Sequence, residues 1–282
     1  MLRKRVITAF WGIPLLIFAI WFDEPLLWFT VLAAVWGLFA AVEFYRMVGV
    51  SRILPLTCFG LIWTLLFIIH PHFLPPYYDY ELPVPLISLL LTSAVTLSLI
   101  LLVFLPNKEG VFVNWAWTIA GILYVGWLLS FLVALRLEAG RDWLYLALFA
   151  TFGSDTAAYF IGRAIGRHKL APHISPGKTW EGAVAGLLGA VIISLLFTLP
   201  KFFIWTNPVY IKPLHCLEAV LLGLLISVFG QLGDLVESLL KRNSGVKDSG
   251  SLMPGHGGIL DRMDSVVFAS VVVYLYYIFV VV

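Results

Sequence analysis

Between Lys241 and Ser265 the chain reads KRNSGVKDSGSLMPGHGGILDRMDS, and nearly every residue in it is polar or glycine. Gly245, Gly250, Gly255, Gly257 and Gly258 let successive backbone N–H groups turn toward one anion. Lys241, Arg242, Lys247, His256 and Arg262 add positive charge around them. Asp261 and Asp264, three residues apart, then open an apolar run. Carboxylates beside a basic, glycine-rich loop make chemical sense if a divalent cation bridges them to phosphate oxygens. A loop with a purely structural role would not need all three ingredients together.

Two other polar groups interrupt apolar runs. Gln231, Asp234, Ser238 and Lys241 recur at steps of three, four and three, which places them on one helix face with Glu237 beside them. The plain alternative is a helix end at the membrane interface, where Asp and Lys pair and snorkel. In FGSDTAAYFIGRAIGR, Asp155, Tyr159, Gly162 and Gly166 share a face, and the glycines permit close helix contact. Ionisable groups inside a membrane are costly and tend to face a cavity or a partner. Arg163, two turns after Asp155, could serve as a purely structural partner. The next loop, HKLAPHISPGKTWEG, carries Ser175, Lys178, Thr179 and Glu181 and is stiffened by Pro172 and Pro176. Hydroxyls and a lysine on a fixed loop suit phosphate, though many ordinary loops share that composition. His168 and His173 read as interfacial donors rather than metal ligands.

The elements that must position these residues are membrane helices. Only 12% of residues are charged and mean hydropathy is +0.97, against about 25% charged in a typical soluble domain. A net charge of +2 and the lack of a long basic run argue against nucleic acid as a partner. Cys58 and Cys216 sit in or beside apolar runs and read as buried thiols, with neither a disulfide nor a metal site expected. The opening MLRKRVITAFWGIPLLIFAIWFDE resembles a signal peptide but has no small-residue cleavage site, so a retained first helix is expected. Runs of the roughly 20 apolar residues needed to span a bilayer fall near 5–22, 26–45, 53–70, 84–105, 114–135, 142–163, 182–199, 217–239 and 264–282. HPHFLPPYYDYELP between the third and fourth reads as an interfacial loop, with Tyr77, Tyr78 and Tyr80 at headgroup level. No repeat at a fixed period is visible.

The expected fold is therefore an all-α integral membrane protein of about nine transmembrane helices. With the N-terminus cytoplasmic, the inner segments hold fourteen of the eighteen Lys and Arg residues; Arg136, Arg141, Lys201 and Lys212 fall outside. That bias places the C-terminus outside and the Lys241–Ser265 stretch in the cytoplasm. Eight of the fourteen lie in the two polar loops, and without them the bias is six to four in the same direction. Residues 1–140 read as a scaffold with lipid access, and 141–282 as the catalytic region with cytoplasmic loops 164–181 and 240–263.

A cation site and a phosphate cradle at the membrane face suggest phosphoryl or nucleotidyl transfer to a lipid. An acceptor that is itself a phosphate monoester is already anionic near neutral pH. No Ser-His or Cys-His pair is then needed to activate it, and none is evident. The tasks left are neutralising two repelling phosphates, aligning them, and stabilising charge on the departing group.

SLLKRNSGVKDSGSLMPGHGGILDRMD, Ser238 to Asp264, resembles the signature of the phosphatidate cytidylyltransferases, or CDP-diacylglycerol synthases: Ser-x-x-Lys-Arg, Lys-Asp, Pro-x-His-Gly-Gly, then Asp-Arg-x-Asp. SDTAAYFIGRAIGRHKLAPHISPGKTWEG and QLGDLVESLLKR resemble two further family stretches. The resemblance is detailed from about Gly153 to Asp264 and rests on hydrophobic character before that. It implies transfer of a cytidylyl group from CTP to phosphatidate, with Mg2+ and a monovalent cation such as K+ nearby. It also implies that Asp234 and Asp264, with Asp261 as a third participant, form the metal centre, and that Lys241 joins them in catalysis. Asp155, Ser175, Lys178, Arg242, Lys247, Asp248, His256, Gly257, Gly258 and Arg262 would contact substrate. Arg167 stands where many relatives carry Lys, with the charge kept.

The expected partners are CTP, phosphatidate, membrane lipid and a second copy of the chain in a homodimer. The expected location is the inner (plasma) membrane. The nearest rival is a CTP-dependent polyprenol or phytol kinase. A secondary transporter would also explain buried Asp155 and Asp234, but such proteins often show internal repeats and mid-membrane helix breaks, whereas these polar groups gather near one face.

Overall fold

The structure is a computed structural model and describes residues 14–22, 27–73, 85–199, 214–252 and 257–282. Residues 14–21 are helical. The helices that follow are α1 (Trp28–Met47), α2 (Leu54–Ile69), α3 (Leu86–Phe104), α4 (Val111–Ala139), α5 (Arg141–Ile165), α6 (Trp180–Leu196), α7 (Cys216–Asn243) and α8 (Asp264–Val281). Among the described residues, seven helices are long and apolar enough to cross a membrane; in α2 the apolar stretch runs on to Phe73. The eighth, α6, is apolar but has only 17 residues. The first expected span lies partly outside the described residues, as do Tyr77, Tyr78 and Tyr80 of the interfacial loop and Arg3, Lys4, Arg5, Lys201 and Lys212 of the charge count.

The surface carries many exposed large apolar side chains, as suits a protein solvated by lipid. On α6, Val184, Leu188 and Ile192 recur every four residues and are 52%, 58% and 60% exposed in the order Val184, Ile192, Leu188. The side chains of Ser154, Ser194 and Ser227 are buried. Without water to satisfy them, polar groups turn inward, while apolar side chains line both the core and the lipid face. The same logic corrects the reading of the cysteines. Cys58 and Cys216 are free thiols on exposed surface, because an apolar neighbourhood in this class of protein marks the lipid face as readily as the core.

The chain divides into two compact units, Met1–Leu137 with Asp248–Asp261, and Glu138–Lys247 with Arg262–Val282. In the first, Tyr45 is fully buried and donates to the Thr118 carbonyl at 3.1 Å. Gly60 and Gly121 make room for it, since a Cβ on either would overlap its ring. Phe67, Ala94 and Ile122 form a further core where α2, α3 and α4 meet.

In the second unit, α5 and α6 cross on small residues. A Cβ at Gly189 would lie 2.8 Å from the Gly153 carbonyl oxygen, and one at Gly182 would lie 2.7 Å from that of Ala158. Helix α7 joins them through polar contacts: Ser154 and Ser227 hydroxyls are 2.7 Å apart, and Gln231 Nε2 donates to the Ala183 carbonyl at 3.1 Å. Gly233 lets α7 approach the start of α8, where a Cβ would run into the Asp264 carbonyl and the Phe268 ring. Buried hydrogen bonds of this kind fix which helix faces meet.

One element departs from an all-helical reading. The loop between α5 and α6 is a two-stranded antiparallel hairpin, β1 (Lys169–Ala171) and β2 (Ser175–Thr179). Thr179 closes it and starts α6, its hydroxyl accepting from the Gly182 N–H at 3.2 Å.

Candidate active site

The strongest gathering of charge lies in the second unit, where three helices and the hairpin each contribute. Asp234 sits on α7, the 28-residue helix whose apolar outward face and polar inward face follow the spacing read from sequence. Its Oδ2 lies 2.9 Å from Lys178 Nζ, on strand β2. Lys178 Nζ also donates to the Gln231 carbonyl at 3.3 Å. Ser238, one turn along α7, donates to Asp234 Oδ1 at 3.3 Å. Both sides of the Lys178–Asp234 pair are partly open, at 21% and 35% exposure, so the pair can be parted by an incoming charge without unpacking the core.

Asp264 is the first residue of α8, and its Oδ1 accepts the Ser265 N–H at 2.7 Å. That is the position where a helix favours an anion, because its first N–H groups have no partner within the helix. Its carboxyl lies beside Glu237 and in the field of Asp234 and Lys241. Glu237 is fully buried, with Lys241 Nζ 3.2 Å from its Oε1. Asp155, exposed on α5, lies in the field of Asp264, Asp234 and Lys178 and is hydrogen-bonded to Ser265. Lys178, and not Arg163, is therefore the cation that acts on Asp155; Arg163 Nη1 donates to the Tyr159 hydroxyl at 3.0 Å.

Arg242 donates from Nε to the Ile174 carbonyl at 3.3 Å, tying the end of α7 to the hairpin that carries Ser175 and Lys178. His168 and Glu181 pair across the hairpin base at 2.7 Å. Lys247 and Arg262 are exposed.

The glycine-rich stretch forms its own network in the first unit. Asp261 Oδ2 accepts from Ser249 N at 3.0 Å, Ser249 Oγ at 3.0 Å and Gly258 N at 2.8 Å. Gly257 has φ +86, a conformation that residues with a side chain rarely adopt, and a Cβ there would press on Asp261 Oδ2. Asp248 is exposed beside them. His256 lies outside the described residues. The structure thus brings Asp155, Lys178, Asp234, Lys241 and Asp264 into one electrostatic neighbourhood, while one oxygen of Asp261 is spent on ordering its own loop.

Two residues of evident weight escaped the sequence reading. Glu237 was placed on the right helix face but not among the site residues. Glu43 was passed over; a lone glutamate inside AAVEFY of an apolar helix was the signal that could have found it.

A divalent cation suits this chemistry. Among the described residues no three His, Cys, Asp or Glu side chains close around a point. Mg2+ does not require that: it keeps several waters and takes one or two carboxylates plus substrate phosphates. Asp234 and Asp264, hard oxygen donors within each other's field, are the residues that could hold such an ion.

A family model described as the cytidylyltransferase family matches residues 3–280. This chain belongs to that family. The cytidylyltransferase-family chain is 32% identical to the phosphatidate cytidylyltransferase of Bacillus subtilis, over 97% of its own length and 96% of the other's. It is 41% identical to the phosphatidate cytidylyltransferase of Staphylococcus haemolyticus over 63% of the chain and 65% of that protein. An uncharacterized Escherichia coli protein, YnbB, is 39% identical over 61% of the chain and 54% of its own length. The likeness to the B. subtilis protein reaches well before Gly153, where the resemblance of motifs begins.

Proposed function

We propose that this cytidylyltransferase-family protein transfers the cytidylyl group of CTP to phosphatidate, giving CDP-diacylglycerol and pyrophosphate. The observation that carries this is the cluster of Asp155, Asp234 and Asp264 with Lys178, in a chain similar from end to end to a protein named for that activity.

In this reading an oxygen of the phosphatidate monoester attacks the α-phosphorus of CTP, and the bond to the bridging oxygen breaks to release pyrophosphate. The acceptor is already anionic, so the chain does not need to remove a proton from it. Its tasks are alignment and charge compensation. Lys178, on a short hairpin held by Arg242 and Thr179, supplies a positive charge that can pass from Asp234 to a phosphate. Lys241, beside Glu237 at the end of α7, supplies a second. Asp234 and Asp264 would hold Mg2+, which supplies neutralisation of the phosphates and stabilisation of the departing pyrophosphate. Asp261 is assigned to ordering the 248–261 loop; Asp248, His256, Gly257 and Gly258 within it, and Lys247 and Arg262 beside it, contact substrate. The monovalent cation stays part of the proposal, with K+ dependence of turnover as its readout. Homodimerisation also stays part of it, with mass measurement in detergent as the check.

Purified protein given phosphatidate, Mg2+ and each nucleotide in turn should release pyrophosphate with CTP, and chelation should abolish the release. Release of CDP instead would support the polyprenol or phytol kinase reading.

We further propose that the N-terminus and the 248–261 loop lie on the cytoplasmic side of the inner membrane and that the C-terminus lies outside. Ser249 is buried, so the exposed Ser251 is the better reporter position. With Cys58 and Cys216 replaced by Ser, Ser251→Cys should react with an impermeant maleimide in inverted vesicles and not in intact cells. A reporter fused after Val282 should behave as extracytoplasmic. Labelling of Ser251→Cys from outside intact cells would reverse the orientation.

A further inference from the structure

Glu43 lies in α1, far in sequence from every residue discussed as part of the reaction, and is 2% exposed. A carboxyl buried in an apolar helix is costly unless donors face it. The donors here come from the glycine-rich loop, 206 and 217 residues further along the chain. Ser249 Oγ donates to Glu43 Oε2 at 3.1 Å, and the Leu260 N–H donates to the same oxygen at 3.0 Å. Ser249 stands at the start of the loop and Leu260 near its end, so one carboxylate oxygen gathers both arms.

The fit leaves no slack. A Cβ added at Gly250 would overlap Glu43 Oε1, and one at Gly258 would overlap Glu43 Oε2 and Ser249 Oγ. These two glycines are required here by close approach to a carboxylate, a reason distinct from freedom to turn N–H groups toward an anion. Ser249 Oγ also lies 3.0 Å from Asp261 Oδ2, so its single O–H proton is shared between two carboxylates, one on α1 and one within the loop. Asp264 follows Asp261 by three residues.

We propose that Glu43 is a positioning residue for cytidylyl transfer: it clamps the arms 248–252 and 257–261 to each other and so sets Asp248, Gly257 and Gly258 for contact with substrate. The assignment of substrate contacts to that loop rests on the proposed function, whereas the clamp itself does not. The tests separate the two. Hydrogen–deuterium exchange without substrate reads the clamp, and steady-state kinetics read its consequence.

In Glu43→Leu, exchange of peptides covering 248–261 should rise at least tenfold, with peptides from α5, α7 and α8 unchanged. Glu43→Gln, which keeps one acceptor oxygen, should show a smaller rise and is the variant to use should the leucine form not fold. The apparent KM for CTP should rise more than kcat falls. Combining Glu43→Leu with Ser249→Ala should cost less than the two single changes together, because the Ser249–Glu43 bond can be lost only once. Arg46→Ala, exposed one turn along the same helix, should leave exchange and kinetics unaltered. Unchanged loop exchange in both Glu43 variants would overturn the proposal, as would a rise spread equally through all helices. Loosened loop exchange without any loss of activity would keep the clamp and remove its role in the reaction.

Discussion

Asp264→Asn should lower turnover by two or more orders of magnitude while the protein stays folded in detergent. The substitution keeps size and leaves an acceptor for the Ser265 N–H seen at 2.7 Å. What it removes is one negative charge at the head of α8, beside Glu237 and Asp234. A loss of that size corresponds to about 3 kcal/mol of transition-state stabilisation. Asp234→Asn, on the facing helix, should act similarly. If both carboxylates serve one cation, the double variant should lose far less than the product of the two single losses. Fully multiplicative losses would show that the two residues act at separate centres. A single variant with near-normal Mg2+-dependent turnover would remove the shared-cation account.

Lys178→Ala should reduce turnover at least tenfold, about 1.4 kcal/mol. Lys178 balances Asp234 across 2.9 Å and lies in the field of Asp155. Removing it leaves the three carboxylates with less positive charge, so a cation would enter more readily while the phosphates lose a partner. Turnover should therefore fall, and the Mg2+ concentration for half-maximal rate should fall or hold steady. Arg46→Ala, which alters a basic residue without such surroundings, should do little. Equal losses at both positions would mean that general surface charge is what matters. A rise in the Mg2+ requirement of Lys178→Ala would show that the lysine helps to hold the cation site instead of competing for it.

Much of the site could be read from sequence because its parts obey local rules. Asp234, Ser238 and Lys241 repeat at helical spacing, and Ser238 does reach Asp234 one turn away. Lys178 stands out for its place in a loop stiffened by Pro172 and Pro176, yet its pairing with Asp234, 56 residues on, is tertiary and has no local signature. The hairpin at 169–179 was read as a loop because strands of three and five residues are too short to show alternation. Nine spans were expected from apolar length; α6 starts at Trp180, before the expected 182, but ends at Leu196 and so has 17 residues. The cysteines were misplaced by treating apolar context as burial, a rule that holds in water and fails in lipid. Glu43, a lone acid in an apolar helix, adds nothing to the Lys and Arg pattern that reports topology. Its meaning depends on two donors more than two hundred residues away.

The central claim is that this protein moves a nucleotidyl group, and not a terminal phosphoryl group, onto a lipid phosphate. The position of a radiolabel tests it most directly. Purified wild-type protein and Asp264→Asn should each be incubated with phosphatidate, Mg2+ and CTP labelled at either the α- or the γ-phosphorus, and the lipid then extracted. The account predicts lipid-borne label from α-labelled CTP with wild-type protein, at least a hundredfold less with Asp264→Asn, and none from γ-labelled CTP with either. Label in the lipid from γ-labelled CTP would contradict it.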